Sequence, residues 1–158
     1  MQHTVLVSDA KVSADPADTI VTYSLGSCIG VALYGPVAKV GGLLHYQLPS
    51  GTMDPARAAR EPCLFGDTGL AFLTAAMEQA GAVKRRVKAK LAGGAAVIED
   101  AAAFNIGKRN YAAIRKALFQ HGLFVDGEDV GGATPRTVYL RLTDGAVAIK
   151  AGGETKYL

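Results

Sequence analysis

The sequence is poor in cysteine: Cys28 and Cys63 are its two cysteines in 158 residues. They stand apart, without a CxxC spacing or clustered histidines, so the sequence excludes a disulfide framework and disfavours a zinc site. We therefore predict a protein of a reducing compartment that uses no metal and no cofactor. The count leaves open whether one of the two thiols is a nucleophile.

The sequence also lacks a segment suited to a membrane. Its first residues contain no basic stretch followed by a long apolar run, which a secretory signal requires. Residues 19–38 carry no charge over 20 positions, but they include three glycines and Pro36 and are typical of buried strand and turn. We expect a cytoplasmic protein with no membrane insertion.

The excess of charge of one sign is small, since 17 Lys+Arg against 14 Asp+Glu give a net charge of +3. With 49% hydrophobic residues, the chain is predicted to be one globular domain over residues 1–158. A domain of this length buries roughly two-thirds of the surface of its unfolded chain, so it can form a core without disulfides or metals. Five basic residues lie within residues 84–90, but no aromatic residues interleave for base stacking, so nucleic-acid binding is not expected.

Hydrophobic periodicity predicts more strands than helices. The predicted strands are 4–7, 19–25, 28–34, 40–48 and 83–91, with a hairpin over 138–149 around an Asp144-Gly145 turn. Helices are predicted from 67 or 68 to 81 and over 107–120, and loops over 8–18 and 49–66. This order favours an α+β fold, a layered single domain with mixed β-sheets and a sandwich-like core, flanked by about two helices.

Cys28 is the stronger candidate nucleophile because of its neighbours. It follows Leu25-Gly26-Ser27 at a predicted strand-to-turn junction, where glycine frees the backbone and successive N–H groups can face one concavity. Such N–H groups bind a developing oxyanion, so Gly26 and Ser27 are predicted to contribute to substrate binding. On composition alone, a buried structural thiol is the more common interpretation of a cysteine, and Cys63 is left in that class.

His45 and Thr22 complete a candidate catalytic set. His45 lies at the far end of the strand pair that follows Cys28, so two adjacent strands could return it to hydrogen-bond reach of the sulfur. Thr22 lies on the strand before Cys28 and is a candidate to orient the imidazole. A purely structural histidine and an ordinary β-branched strand residue are the alternatives.

The spacing Gly26-x-Cys28-x-Gly30 also matches the nucleophile elbow of α/β-hydrolases, with Cys in place of Ser. That elbow leads into a helix, and its histidine comes late in the chain. Residues 29–34 instead alternate as a strand, so we reject this alternative.

Five segments, taken in order, resemble the motifs of a known family. They are residues 22–33 (TYSLGSCIGVAL), 41–49 (GGLLHYQLP), 89–95 (AKLAGGA), 105–110 (NIGKRN) and 129–132 (DVGG). Together they resemble the CheD family, the chemoreceptor glutamine deamidases of bacterial and archaeal chemotaxis. The resemblance extends from about residue 19 to residue 150.

The resemblance implies that Cys28 is the nucleophile, His45 the base and Thr22 the orienting residue of an amidohydrolase. The implied substrates are glutamine side chains of methyl-accepting chemotaxis receptors, converted to glutamate and ammonia. A glutamyl methyl ester is close in shape to the amide and has a better leaving group, so some glutamyl methylesterase activity is also expected. The resemblance also implies a fold similar to the catalytic domain of cytotoxic necrotizing factor and the phosphatase CheC as a partner. The alternative is a non-catalytic adaptor that binds receptor and CheC and keeps a vestigial triad.

Two positions depart from the usual pattern of that family. Ala92 stands where an aromatic residue is usual, and Pro135-Arg136 stands where a Gly-Arg pair is usual. Neither belongs to the predicted catalytic set. Both bear on the surface expected to meet receptor or CheC.

Overall fold

Two mixed β-sheets frame the domain in the computed structural model, which describes residues 1–96 and 105–158. The strands of these residues are β1 (Gln2–Thr4), β2 (Asp9–Ser13), β3 (Thr19–Leu25), β4 (Ile29–Gly35), β5 (Val40–Tyr46), β6 (Lys88–Gly93), β7 (Phe124–Val130), β8 (Arg136–Arg141), β9 (Val147–Ala151) and β10 (Glu154–Tyr157). The first sheet has the order β1-β3-β8-β9-β10 and the second the order β2-β5-β4-β6-β7. The pairs β1 with β3 and β6 with β7 are parallel, and the other described pairs are antiparallel.

Three helices are present in the described part of the chain: α1 (Pro55–Arg60), α2 (Gly66–Gln79) and α3 (Ile106–Gln120). Helix α1 begins where the side chain of Asp54 accepts a hydrogen bond from the backbone N–H of Arg57, with Pro55 in the first position. The apolar faces of the longer helices consist of Leu70, Leu73 and Met77 on α2 and Ile114, Ala117 and Leu118 on α3. None of the described helices has the length and apolarity needed to cross a membrane.

Alternation along β4 determines the layers. Ile29 and Leu33 pack in one cluster with the apolar faces of α2 and α3. Ala32 packs on the opposite side, in a cluster with Ile20 and Leu140 of the first sheet. The second sheet is therefore the middle layer, between the first sheet and the helices. The predicted layered α+β domain with a sandwich-like core is confirmed, as are its two long helices.

Several predicted boundaries are wrong. The predicted loop over 8–18 contains β2, and the predicted loop over 49–66 contains α1 with 3-10 turns on either side. The predicted strand over 83–91 starts only at Lys88, because Lys84–Arg86 form a 3-10 turn. Strands β7 and β10 are not predicted from sequence, since both carry charged residues and neither has a fully buried face.

Candidate active site

Alternate residues of β5 face opposite sides of the second sheet. Tyr46 packs toward the helices, whereas Leu43 packs toward the first sheet. His45 shares the face of Leu43, is 2% exposed, and meets Thr22 of β3 between the two sheets. The register partner of His45 on β4 is Gly30. The strand pair after Cys28 therefore returns His45 to the start of β4, as the sequence predicts.

Thr22 orients the imidazole of His45. Its Oγ1 lies 2.7 Å from Nδ1 of His45 and 2.9 Å from the carbonyl oxygen of Val5. A carbonyl can only accept and a hydroxyl has one proton, so Thr22 donates to Val5 and accepts from Nδ1. The ring proton of neutral His45 is therefore on Nδ1. Sequence reasoning missed Val5 because its contribution comes from the backbone and leaves no side-chain signal.

The other ring nitrogen of His45, Nε2, makes no hydrogen bond to the described residues. Nε2 is buried and has no hydrogen-bond partner among residues 1–96 and 105–158. Burial lowers the pKa of His45 from 6.5 to about 4, so the ring is neutral at neutral pH and Nε2 carries a lone pair. An uncharged, unpaired imidazole nitrogen is suited to take a proton from a thiol or from water.

Cys28 lies half-buried in the bend between β3 and β4 and packs against the cluster between the sheets. It lies one residue before β4 and two residues before Gly30, the register partner of His45. Burial raises the pKa of the Cys28 thiol, so its resting form is S–H. The thiol and the imidazole share one side of the sheet without a hydrogen bond between Sγ and Nε2.

The backbone around Cys28 is held in place by hydrogen bonds that its carbonyl groups accept. The carbonyl of Gly26 accepts from the N–H of Ala95, that of Ser27 from the side-chain amide of Asn110, and that of Cys28 from the N–H of Gly94. In a planar trans peptide unit the C=O and the N–H point in opposite directions. The bonded carbonyls of Gly26 and Ser27 therefore fix the directions of the Ser27 and Cys28 N–H groups. The N–H groups of Ser27 and Cys28 find no acceptor among the described residues outside their own side chains. Two such amides are suited to bind an oxyanion.

Gly26 is not among the glycines with a left-handed backbone. The left-handed conformation in this stretch is at Ser24, with φ 57°. The glycine that makes room for Cys28 is instead Gly93 on β6, with φ 109°. A Cβ at position 93 would overlap the carbonyl oxygen of Cys28. Sequence reasoning missed this role, although the pair at 93–94 was a visible signal.

Arg136 reinforces the segment that faces Cys28. It is buried, and its guanidinium donates to the carbonyls of Gly93 (3.2 Å) and Gly131 (2.7 Å) and to the carboxylate of Asp129 (3.1 Å). The bonds from Arg136 and Lys156 hold the pKa of Asp129 below its usual value against the effect of burial. Arg136 is therefore part of the buried support of the backbone beside the site.

The second cysteine and the histidine near the N-terminus lie apart from this arrangement. Cys63 is buried in the core beside α2, and burial raises the pKa of its thiol to about 11. Nε2 of His3 lies 2.7 Å from the carboxylate of Asp18, away from Cys28. Within residues 1–96 and 105–158, no group of three His, Cys, Asp or Glu side chains is placed to hold a metal ion.

The site holds a thiol, a neutral imidazole with a fixed tautomer, and two amides that find no acceptor elsewhere among the described residues. Held between two sheets, these groups form the apparatus of thiol-based acyl transfer. The family model for CheD chemotactic sensory transduction matches residues 47–151 of this chain. The chain belongs to the CheD family.

Curated relatives cover nearly the whole chain. A protein of Solibacter usitatus, named "Probable chemoreceptor glutamine deamidase CheD", is 45% identical over 96% of this chain and 90% of its own length. A protein of Syntrophus aciditrophicus, with the same name followed by 1, is 43% identical over 94% of this chain and 93% of its own length. A protein of Anaeromyxobacter dehalogenans, with the same name followed by 2, is 40% identical over 96% of this chain and 95% of its own length. Among solved structures, Neisseria meningitidis protein NMB0706 superposes with a TM-score of 0.43 and 19% identity over 84% of this chain and 61% of that chain, a likeness too distant to bear on function.

Proposed function

We propose that this protein is a chemoreceptor glutamine deamidase, which hydrolyses receptor glutamine side chains to glutamate and ammonia. The observation that carries the proposal is the contact between Thr22 and His45, which fixes the ring proton on Nδ1. Nε2 then has no hydrogen-bond partner in the described part of the chain and lies on the side of the sheet where Cys28 lies. Membership of the CheD family supplies the substrate class.

Acylation begins with a neutral pair. The pKa of Cys28 is raised and that of His45 is lowered, so thiol and imidazole are favoured over thiolate and imidazolium at rest. Nε2 takes the thiol proton as Sγ bonds to the carboxamide carbon, and the N–H groups of Ser27 and Cys28 hold the oxyanion. The carbon–nitrogen bond then breaks, and the nitrogen takes the proton from Nε2 and leaves as ammonia, which gives a thioester.

Deacylation uses the same groups in reverse. Water attacks the thioester carbon while Nε2 of His45 accepts one of its protons. The carbon–sulfur bond breaks, Sγ regains the proton from Nε2, and glutamate is released. A glutamyl methyl ester has the same shape around the carbonyl and a better leaving group, so the site would also hydrolyse such esters, with methanol as the product.

The expected partners are receptors and, where it is present, CheC, in the cytoplasm. The basic residues 84–90 lie mostly before β6 and at its first residue, while the other end of that strand, Gly93, adjoins Cys28. Lys88 is five residue steps from Gly93, roughly 17 Å at about 3.3 Å per residue, and Lys90 is three steps, roughly 10 Å. These basic side chains would therefore dock a receptor surface away from the reacting glutamine, and receptor binding through them should weaken with salt.

The test compares wild type with Cys28→Ala on a receptor fragment that carries the glutamines. We expect ammonia release and the mass change of glutamine-to-glutamate conversion with wild type, and neither with Cys28→Ala. Cys63→Ala, which removes the other thiol, is the matched control and should retain activity. Deamidation that survives Cys28→Ala would overturn the assignment of the nucleophile. Tight receptor binding by wild type without ammonia release would favour the adaptor function.

A further inference from the structure

Asn110 of α3 is a fully buried side chain that bonds to two backbone segments at once. Its Nδ2 donates to the carbonyl of Ser27 at 2.9 Å and to the carbonyl of Gln47 at 2.8 Å. Both partners can only accept hydrogen bonds, so the amide nitrogen must occupy this position and the amide orientation is unambiguous. The Oδ1 atom is buried without a partner among the described residues, which makes this an unusually costly place for an amide.

The first of these bonds determines the direction of an N–H group in the candidate oxyanion site. The Ser27 carbonyl belongs to the same peptide as the N–H of Cys28, and a trans peptide holds the two groups antiparallel. By holding the carbonyl toward α3, Asn110 turns the Cys28 N–H away from α3. The peptide before it is held in the same way, because the N–H of Ala95 binds the Gly26 carbonyl and so directs the Ser27 N–H.

The second bond connects the same helix position to the strand that carries the base. Gln47 follows His45 by two residues, and the hydroxyl of Tyr46 donates to the backbone carbonyl of Asn110. Position 110 therefore binds both residues that follow His45 as well as the residue before Cys28. The approach of α3 to this region requires Gly107, where a Cβ would overlap the carbonyl of Gly94.

We propose that Asn110 is a positioning residue for the deamidation reaction: it orients the Cys28 N–H as an oxyanion donor and holds the nucleophile bend in register with the strand of His45. This inference rests on the proposed function. If Asn110 only fixed α3 to the sheet, one hydrogen bond from its side chain would be enough. The Ser27 and Gln47 carbonyls could then be bonded by two separate residues. The double contact couples the two segments whose relative placement the reaction uses.

The test separates transition-state stabilisation from thiol access. Asn110→Leu keeps the branched shape and removes both donors, and Asn110→Ser is smaller and keeps one. For each variant, kcat and KM for deamidation are measured together with the rate at which iodoacetamide alkylates Cys28, followed on the Cys28 peptide by mass spectrometry. Alkylation needs the sulfur but no oxyanion donor. Thr74→Val, which removes a buried hydroxyl on α2 that donates to the carbonyl of Ala71, is the control for loss of a buried polar group.

For Asn110→Leu we expect kcat to fall about 10- to 100-fold, with KM and the Cys28 alkylation rate within a few-fold of wild type. Asn110→Ser should lie between Leu and wild type, and Thr74→Val should leave kcat unchanged. Unchanged kcat in both Asn110 variants would overturn the inference, as would a parallel loss of deamidation and alkylation in Asn110→Ser, which would indicate a structural role. If iodoacetamide alkylates Cys28 of the wild type but the wild type releases no ammonia from the receptor fragment, the proposed function fails, and this inference fails with it.

Discussion

The hydroxyl of Thr22 accepts a hydrogen bond of 2.7 Å from Nδ1 of His45 and donates one to the carbonyl of Val5. A threonine in this position orients the ring as a carboxylate would, but it adds no negative charge to stabilise an imidazolium. This agrees with the lowered pKa of His45, which burial holds at about 4.

Thr22→Val should separate orientation from packing. The valine fills the same volume but cannot accept from Nδ1, so the ring loses the contact that selects its tautomer. We expect kcat for deamidation to fall about 10- to 100-fold with little change in KM. Thr22→Ser, which keeps the oxygen, should remain within a few-fold of wild type. Equal activity of the Val and Ser variants would show that the hydroxyl has no part in the reaction.

Burial of a neutral His45 should make the free energy of unfolding depend on pH. The pKa is about 4 in the folded protein against 6.5 normally, so the unfolded chain binds the proton first as pH falls. This contribution is fully present above pH 6.5 and is reduced by about 3 kcal/mol on reaching pH 4. Urea unfolding at a series of pH values across this window measures the slope.

His45→Gln should remove most of that pH dependence. The carboxylates with lowered pKa values are Asp18, Asp129 and Asp144, and they lose most of their contributions below pH 4, outside this window. His121 has a pKa lowered by burial to a lesser extent, so His121→Gln is the control and should remove a smaller part. A slope that persists unchanged in His45→Gln would contradict the assignment.

The thiol of Cys28 should titrate as a buried thiol and not as half of an ion pair. Because burial raises its pKa, the rate of iodoacetamide alkylation at Cys28 should keep rising through the alkaline range. A stable thiolate and imidazolium pair would instead give a plateau at or below neutral pH. Measuring the rate on the Cys28 peptide against pH distinguishes the two, and such a plateau would overturn the neutral-pair mechanism.

Gly93→Ala should damage the site through its contact with Cys28. Both Gly93 (φ 109°) and Gly81 (φ 105°) have left-handed backbones, so alanine at either position costs about 1 kcal/mol or more in strain. At Gly81 a Cβ meets nothing within 4 Å, whereas at Gly93 it overlaps the Cys28 carbonyl oxygen. We expect Gly93→Ala to lower both stability and deamidation, and Gly81→Ala to lower stability alone. Similar activity in the two variants would count against this contact.

The catalytic candidates could be predicted from the sequence because their chemistry is carried by side chains in a strand pattern. Cys28, His45 and Thr22 follow from residue type and alternation, and the structure brings Thr22 to His45 as expected. The strands that were missed, β2, β7 and β10, are all sheet edges, where exposure removes the alternation of apolar residues. Edge strands are specified by the neighbour they pair with, which a linear sequence does not display.

The supporting backbone could not be predicted for a related reason. The contribution of Val5 is a carbonyl, and that of Gly93 is the absence of a side chain. The two carbonyls bound by Asn110 belong to segments 63 and 83 residues away in sequence. Tertiary contacts of this kind appear only when the sheets and α3 are placed against each other.

The hydroxyl of Thr22 and the imidazole of His45 belong to different sheets, so the length of their hydrogen bond depends on how the two layers are placed relative to each other. An increase of about 1 Å in the spacing of the two sheets along this bond would lengthen 2.7 Å beyond hydrogen-bond range while leaving both layers intact. Mild loosening of the cluster between the sheets, for example by shortening Leu43 or Ile149, should therefore reduce turnover before it unfolds the protein. The apolar interior of this sandwich thus sets the spacing of the candidate catalytic groups as well as the stability of the fold.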